Sequence, residues 1–126
     1  MLSIMVMAIV VVWMVAAVAI AGSAKMRAES AADGAALAAA PVTFRPFGAS
    51  GNAASEAARF ARANGAELVS CSCPDNPTWD MRTVEVKVIV YARVPGLGKV
   101  AVRASSRATF DPLALLGGAD LSRGPP

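Results

Sequence analysis

The sequence predicts an α+β fold: a long N-terminal transmembrane helix extended into an alanine-rich stalk, then a short helix and a three-stranded antiparallel sheet of pilin-like form. Three observations predict it. The chain opens with a long uncharged run of Leu, Ile, Val, Met and Ala. An alanine-rich stretch follows directly. Beyond residue 65, apolar and polar residues alternate with the period of a strand.

The first element is the candidate membrane span, which begins at Leu2, contains Trp13 and ends at Ala21. No charged side chain precedes Lys25. Crossing the hydrocarbon core of a bilayer takes about 20 apolar residues, and a backbone in lipid must satisfy its own hydrogen bonds, which favours a helix. A buried core helix and a signal peptide cleaved after Ala21 are the alternatives. The run exceeds a usual signal core and lacks a basic start, so we expect a retained anchor in the lipid bilayer.

The helix is predicted to continue through strong helix formers to Ala40 and to end at Pro41, giving a rod of roughly 60 Å in residues 1–40. Alanines recur along it in two rows. Rows of small residues let helices approach closely, although helix propensity alone also explains them. We expect the first row to be a helix-packing ridge toward neighbouring subunits, so that Ala32→Leu leaves the head folded. The rows are Ala24, Ala28, Ala32, Ala36 and Ala40, and Ala31, Ala35 and Ala39.

Residues 52–109 are predicted to form a small head, preceded by a linker loop at 41–51 and followed by a flexible tail at 110–126. The loop and the tail hold glycines and prolines without periodicity, and we expect Phe44 and Phe47 of the loop to fold back onto the head. Ser50 or Asn52 can cap the start of a helix over residues 52–64, and Gly65 follows its end. We expect this helix to cover the inner, valine-rich face of the sheet, because it is the only candidate within the chain that is large enough. The predicted strands are residues 66–73, 83–94 and 99–109, with inward residues Val84, Val86, Val88, Val90, Val100, Val102 and Ala104.

Composition argues against catalysis. The chain has no His, so neither a Ser-His-Asp triad nor a Cys-His pair can form. Cys71 and Cys73 are too few for a zinc site, and two free thiols, a disulfide or a bond to a partner chain remain open. Asp75 and Asp80 lie on either side of Trp79 in a loop. Two carboxylates there could bind calcium, but we expect a solvated loop instead. The net charge of +3 is scattered, unlike a nucleic-acid patch. We therefore expect no enzyme activity, cofactor, metal, nucleic acid or small-molecule substrate.

One stretch resembles a known family. Residues 30–33, which are Ser30, Ala31, Ala32 and Asp33, lead into the alanine-rich residues 35–40. This pattern resembles the segment after the membrane helix in TadE/TadG-like minor pilins of tight-adherence (Flp) pili, especially the short form encoded beside a secretion ATPase. The resemblance continues through residues 64–66 and the strands after them, and covers most of residues 1–109. Such prepilins usually begin with a basic leader, and none precedes Leu2, so we expect either an upstream start or a chain that is not processed.

The resemblance implies a non-enzymatic minor pilin or pseudopilin-like subunit of a tight-adherence pilus or related secretion machine. Its partners would be the bilayer and other pilus or secretion subunits. The expected location is the cytoplasmic membrane, with a single pass and an extracytoplasmic C-terminal head. Lys25 and Arg27 would instead place the C-terminal side inside by the positive-inside rule. The alternative function is a membrane-tethered binding module without a filament role. A redox role for Cys71 and Cys73 is a third, weaker alternative.

Overall fold

The computed structural model describes residues 1–44 and 51–116. The expected fold class, a long apolar helix followed by a short helix and a three-stranded antiparallel sheet, is confirmed. Residues 45–50 of the predicted loop 41–51, and residues 117–126 of the predicted tail, lie outside the described residues. The elements in chain order are α1 (Leu2–Val42), α2 (Ala53–Ala63), β1 (Glu67–Ser72), β2 (Arg82–Val94), β3 (Gly98–Phe110) and α3 (Leu113–Leu116).

Helix α1 is one continuous element with two differently placed parts. We name residues 2–23 the apolar segment and residues 24–42 the alanine segment. The predicted end at Ala40 is wrong by two residues, because Pro41 lies inside the last turn. Pro41 has no N–H to donate to the Leu37 carbonyl, and the helix ends one residue later. Thr43 completes the turn: its backbone N–H and its Oγ1 donate to the Ala40 carbonyl at 3.3 and 2.7 Å.

The sheet has the order β1-β2-β3, and both pairings are antiparallel. Strands β2 and β3 pair without interruption from Arg82 and Phe110 to Val94 and Gly98. The edge strand β1 shifts register at Val69, an exposed bulge residue between Leu68 and Ser70. The predicted alternation is confirmed, since the even-numbered valines of β2 are buried. These are Val84, Val86, Val88, Val90 and Val94.

The alanine segment covers that valine face, which corrects the prediction that helix 52–64 would do so. Helix α1 contacts both β2 and β3, while α2 packs beside it against α1 and β1. The buried alanines of α1 and the valines of β2 belong to one core. Residues 1–40 are therefore not a separate rod. Their second half belongs to the head, because strands of 13 residues are much longer than an 11-residue helix and need a longer cover than it provides.

Helix α2 begins and ends at recognisable signals. The Asn52 side chain accepts a hydrogen bond from the backbone N–H of Ala54 at 2.7 Å, as a preferred N-cap does. After the helix, Gly65 has a φ of 75°, which glycine adopts without a Cβ clash. On its exposed face the Arg59 guanidinium donates to the Glu56 carboxylate, and this hydrogen bond lowers the pKa of Glu56.

The start of the predicted tail is ordered. Phe110 is the last residue of β3, and residues 113–116 form the single helical turn α3. Pro112, between them, is fully buried. The predicted tail therefore began too early at residue 110, because Phe110 still pairs with Arg82 in the sheet.

Candidate functional site

The most exposed apolar surface of the described chain is the apolar segment. Its most hydrophobic window of 18 residues is wholly unburied, and the helix is long and apolar enough to cross a membrane. Val12 and Val15 expose 68% and 64% of their area, although most residues of this type are buried in soluble domains. Contiguous apolar surface of this extent marks contact with lipid or with protein. The segment is thus compatible with a single-pass anchor.

The two alanine rows lie inside the head. Ala28, Ala32 and Ala36 are fully buried, and Ala24 and Ala40 are nearly so. The second row, Ala31, Ala35 and Ala39, is fully buried as well. Small side chains here let the helix approach both the sheet and α2 closely. The prediction that the ridge faces neighbouring subunits, with Ala32→Leu leaving the head intact, is therefore corrected: within this chain the rows are already covered.

The Ser30–Asp33 motif divides between core and surface. Ala31 and Ala32 are buried, whereas Ser30 and Asp33 are exposed. The Asp33 carboxylate accepts a hydrogen bond from the Ser106 hydroxyl of β3. Eight residues earlier, the Lys25 ammonium donates to the Arg103 carbonyl of the same strand at 3.2 Å. The polar residues of the alanine segment therefore align α1 along the edge strand β3.

The β2–β3 turn reaches the apolar segment. The turn is closed by the Leu97 N–H, which donates to the Val94 carbonyl at 3.0 Å, and Gly96 has a φ of 83° as a Pro-Gly turn requires. The Trp13 indole N–H donates to the Pro95 carbonyl at 2.8 Å. A Cβ on Gly96 would lie 3.1 Å from the Trp13 ring. The head thus contacts α1 as far as the middle of the predicted span.

The opposite end of the head is held by Arg82. Arg82 is 8% exposed, and its guanidinium donates to the backbone carbonyls of Thr43, Asn76, Thr78 and Asp80. The Thr43 carbonyl also accepts from the Asn76 N–H at 3.0 Å. The guanidinium is planar and has five N–H donors in fixed directions, so it can bind several fixed carbonyls at once. A lysine ammonium has three donors around one nitrogen. Arg82 therefore fastens the loop between β1 and β2 to the end of α1.

An aromatic cluster completes this end. Phe44 is fully buried, as predicted for a residue that folds back onto the head, and its ring packs edge-on against Trp79 with centroids 4.9 Å apart. Phe47, predicted to do the same, lies outside the described residues. Trp79 and Met81 remain 40% and 66% exposed, so the loop presents apolar side chains outward.

Cys71 and Cys73 form a disulfide with Cα atoms 5.3 Å apart. Both residues are half-buried and pack against the core at the end of β1. Side chains two positions apart on a strand point to the same side, which lets the sulfurs meet. Among the residues that the structure describes, no cysteine is free, and no group of three acidic or cysteine side chains could hold a metal ion.

Sequence reasoning missed the Trp13–Pro95 contact and the Arg82 cluster. Trp13 and Pro95 are 82 positions apart, and no local pattern pairs them. The available signals were a single Trp inside an aliphatic run and an Arg directly before a valine strand. Protein-family models, curated proteins and solved structures were compared with this chain, and none of them matches it.

Proposed function

We propose that this protein is a non-enzymatic, membrane-anchored subunit of the minor-pilin type, acting in a tight-adherence pilus or a related secretion machine. One observation carries the proposal: a helix that is apolar and largely exposed in its first half becomes part of the core of a small α+β head in its second half. This design supports a subunit whose hydrophobic end is stored in lipid while its head stands outside it.

The apolar segment suits both environments that such a subunit meets. It is apolar around its whole circumference, with no charged residue before Lys25. A helix of this kind can be buried either in hydrocarbon or in a bundle of like helices. The transfer from bilayer to filament therefore requires no change of fold. The resemblance of residues 30–40 to TadE-like pilins is the basis on which we propose this class of machine.

The first experiment follows the protein in its own cells. A tagged chain should resist carbonate extraction from membranes and should also appear in the fraction of filaments sheared from the cell surface. Deleting the gene should reduce the amount of sheared filament. A chain that stays wholly in the membrane fraction, with filament yield unchanged by the deletion, would contradict the pilin role.

A second candidate function is a membrane-tethered binding module. It is favoured by the burial of both alanine rows, because the most closely packing surface of α1 is occupied by the chain's own head. The exposed Trp79 and Met81 would then be the contact surface. Replacing both by Ser separates the two functions: a tethered module loses its envelope partner, whereas a subunit that assembles through its apolar segment keeps its place in filaments.

A further inference from the structure

The tip of the β2–β3 hairpin lies beside the part of α1 that the composition assigns to the bilayer. The hydrogen bond from Trp13 to the Pro95 carbonyl fixes it there. Trp13 is 12 positions before Lys25, the first charged residue of the helix, which is about 18 Å at the rise of an α-helix. A head that stood clear of the lipid would approach α1 no further than Lys25. This head extends well past it.

The chemistry of the tip fits the surface of a bilayer. Leu97 is 65% exposed at the turn, and Tyr91 is 46% exposed on the outer face of β2. The Lys99 ammonium lies 4.2 Å from the centre of the Tyr91 ring. Arg93 is exposed next to them, and residues 91–101 include no Asp or Glu. Aromatic rings, a leucine and unopposed basic groups are the side chains that favour the layer between water and acyl chains.

We propose that the hairpin tip, residues 91–101, docks on the membrane surface and binds anionic lipid headgroups. Leu97 and Tyr91 enter the boundary with the acyl chains. Arg93 and Lys99 extend toward headgroup phosphates, as long basic side chains do at such a boundary. The turn at Pro95 reaches Trp13 inside the span, and this hydrogen bond ties the tip to the anchor. Ala92, between Tyr91 and Arg93, lines a cavity with Ala19, Ile20 and Ser23 at the end of the span, so the basic side chains lie at the boundary of the bilayer and the turn enters it. This inference rests on the proposed insertion of the apolar segment, and it adds a second, peripheral membrane contact made by the head.

The single tyrosine of the chain makes the tip observable in the full-length protein. The chain is labelled with 3-fluorotyrosine and reconstituted into vesicles of phosphatidylcholine alone or with 30% phosphatidylglycerol. The ¹⁹F signal of Tyr91 is then recorded with a nitroxide on the lipid near the headgroup, and separately with a water-soluble gadolinium chelate. We expect at least threefold stronger broadening by the lipid nitroxide than by the chelate, and a larger effect in the anionic vesicles.

The matched control moves the only tyrosine along the same face of the same strand. In Tyr91→Phe with Thr83→Tyr, the label lies eight residues away, or about 26 Å, and Thr83 is also exposed. Its signal should respond to the chelate and not to the lipid nitroxide. A second variant, Arg93→Gln with Lys99→Gln, should remove the difference between the two kinds of vesicle.

The outcomes separate this inference from the anchor itself. Vesicle flotation and carbonate resistance report on the apolar segment alone. An inserted protein whose Tyr91 responds like the Thr83→Tyr control would overturn the docking of the tip and leave the anchor standing. Equal broadening in both kinds of vesicle would overturn the recognition of anionic headgroups. A protein that fails to float with vesicles would overturn both the anchor and the docking.

Discussion

The two halves of α1 have the same secondary structure and opposite surroundings. The apolar segment carries large aliphatic side chains and is exposed, whereas the alanine segment carries small ones and is buried in the head. Along α1 the larger side chains thus lie outside and the smaller ones inside, the reverse of an ordinary soluble domain. The difference teaches that side-chain size along this helix indicates its surroundings: bulky side chains lie on the exposed half, while a sheet packed at close range requires alanine.

The largest effect, on membrane insertion, is expected when an arginine is placed at equally exposed positions in the two halves of α1. Val12 and Leu37 are both 68% exposed on α1. Val12→Arg should weaken membrane insertion by about 2.5–3.5 kcal/mol, the usual cost of an arginine at the centre of a span. Leu37→Arg should insert normally, because its side chain faces water. The measurement is the inserted fraction in a glycosylation-based insertion assay. Equal insertion of the two variants would remove the distinction between the halves.

Overpacking the alanine segment should come next in size. Ala32→Leu adds a branched side chain to a fully buried site, and such changes typically cost about 1–3 kcal/mol. Ala38→Leu is the control, because Ala38 is half-buried and outside both rows. Thermal unfolding in detergent, followed by near-ultraviolet circular dichroism, should show a lowered Tm for Ala32→Leu alone. Equal Tm values for the two variants would show that the rows are not close-packed.

A smaller effect is expected where the head contacts the apolar segment. Trp13→Phe keeps an aromatic ring but removes the hydrogen bond to Pro95, typically worth about 0.5–1.5 kcal/mol. The backbone amide signals of Gly96 and Leu97 should shift and exchange faster. Trp79→Phe, at the other end of the head, should leave them unchanged. Identical hairpin spectra for the two variants would rule out the Trp13 contact.

The smallest effect concerns α2, which packs against α1 and β1 in the head. The hydrogen bond from Arg59 lowers the pKa of Glu56 in the folded state. The stability that this pair contributes is therefore present above the unfolded-state pKa and is lost as the pH falls through the folded-state pKa. Glu56→Gln should lower the Tm slightly at neutral pH, and the gap to the natural chain should close in acid. A gap independent of pH would contradict the pairing.

Much of the fold could be predicted because its signals are local. The alternation Val84, Val86, Val88, Val90 identifies β2 and its inner face, and Asn52 with Gly65 brackets α2. These patterns depend on the periods of strand and helix and on the ends of a helix. The uncharged start of the chain likewise predicts an exposed apolar helix, and the structure places it outside the core.

What covers the valine face could not be predicted, and the reason is physical. A row of alanines permits close approach to any surface, so Ala28 and Ala32 cannot distinguish a neighbour's helix from the chain's own sheet. The donors of Arg82 meet carbonyls of residues 43 and 76–80, and these contacts depend on the path of a loop. Backbone carbonyls are present at every residue, so nothing in the sequence marks which of them an arginine will bind.

The most direct test of the account is amide hydrogen exchange of the full chain in lipid nanodiscs, compared with its Val88→Asp variant. Val88 is fully buried beneath α1, and an unpaired buried charge costs several kcal/mol, which should unfold the head. We expect residues 2–21 to stay protected by lipid in both proteins. Residues 24–42 should exchange at least tenfold faster in the variant, since only the head protects them. Unchanged protection of residues 24–42 in the variant would contradict the claim that this half of α1 is the core of the head.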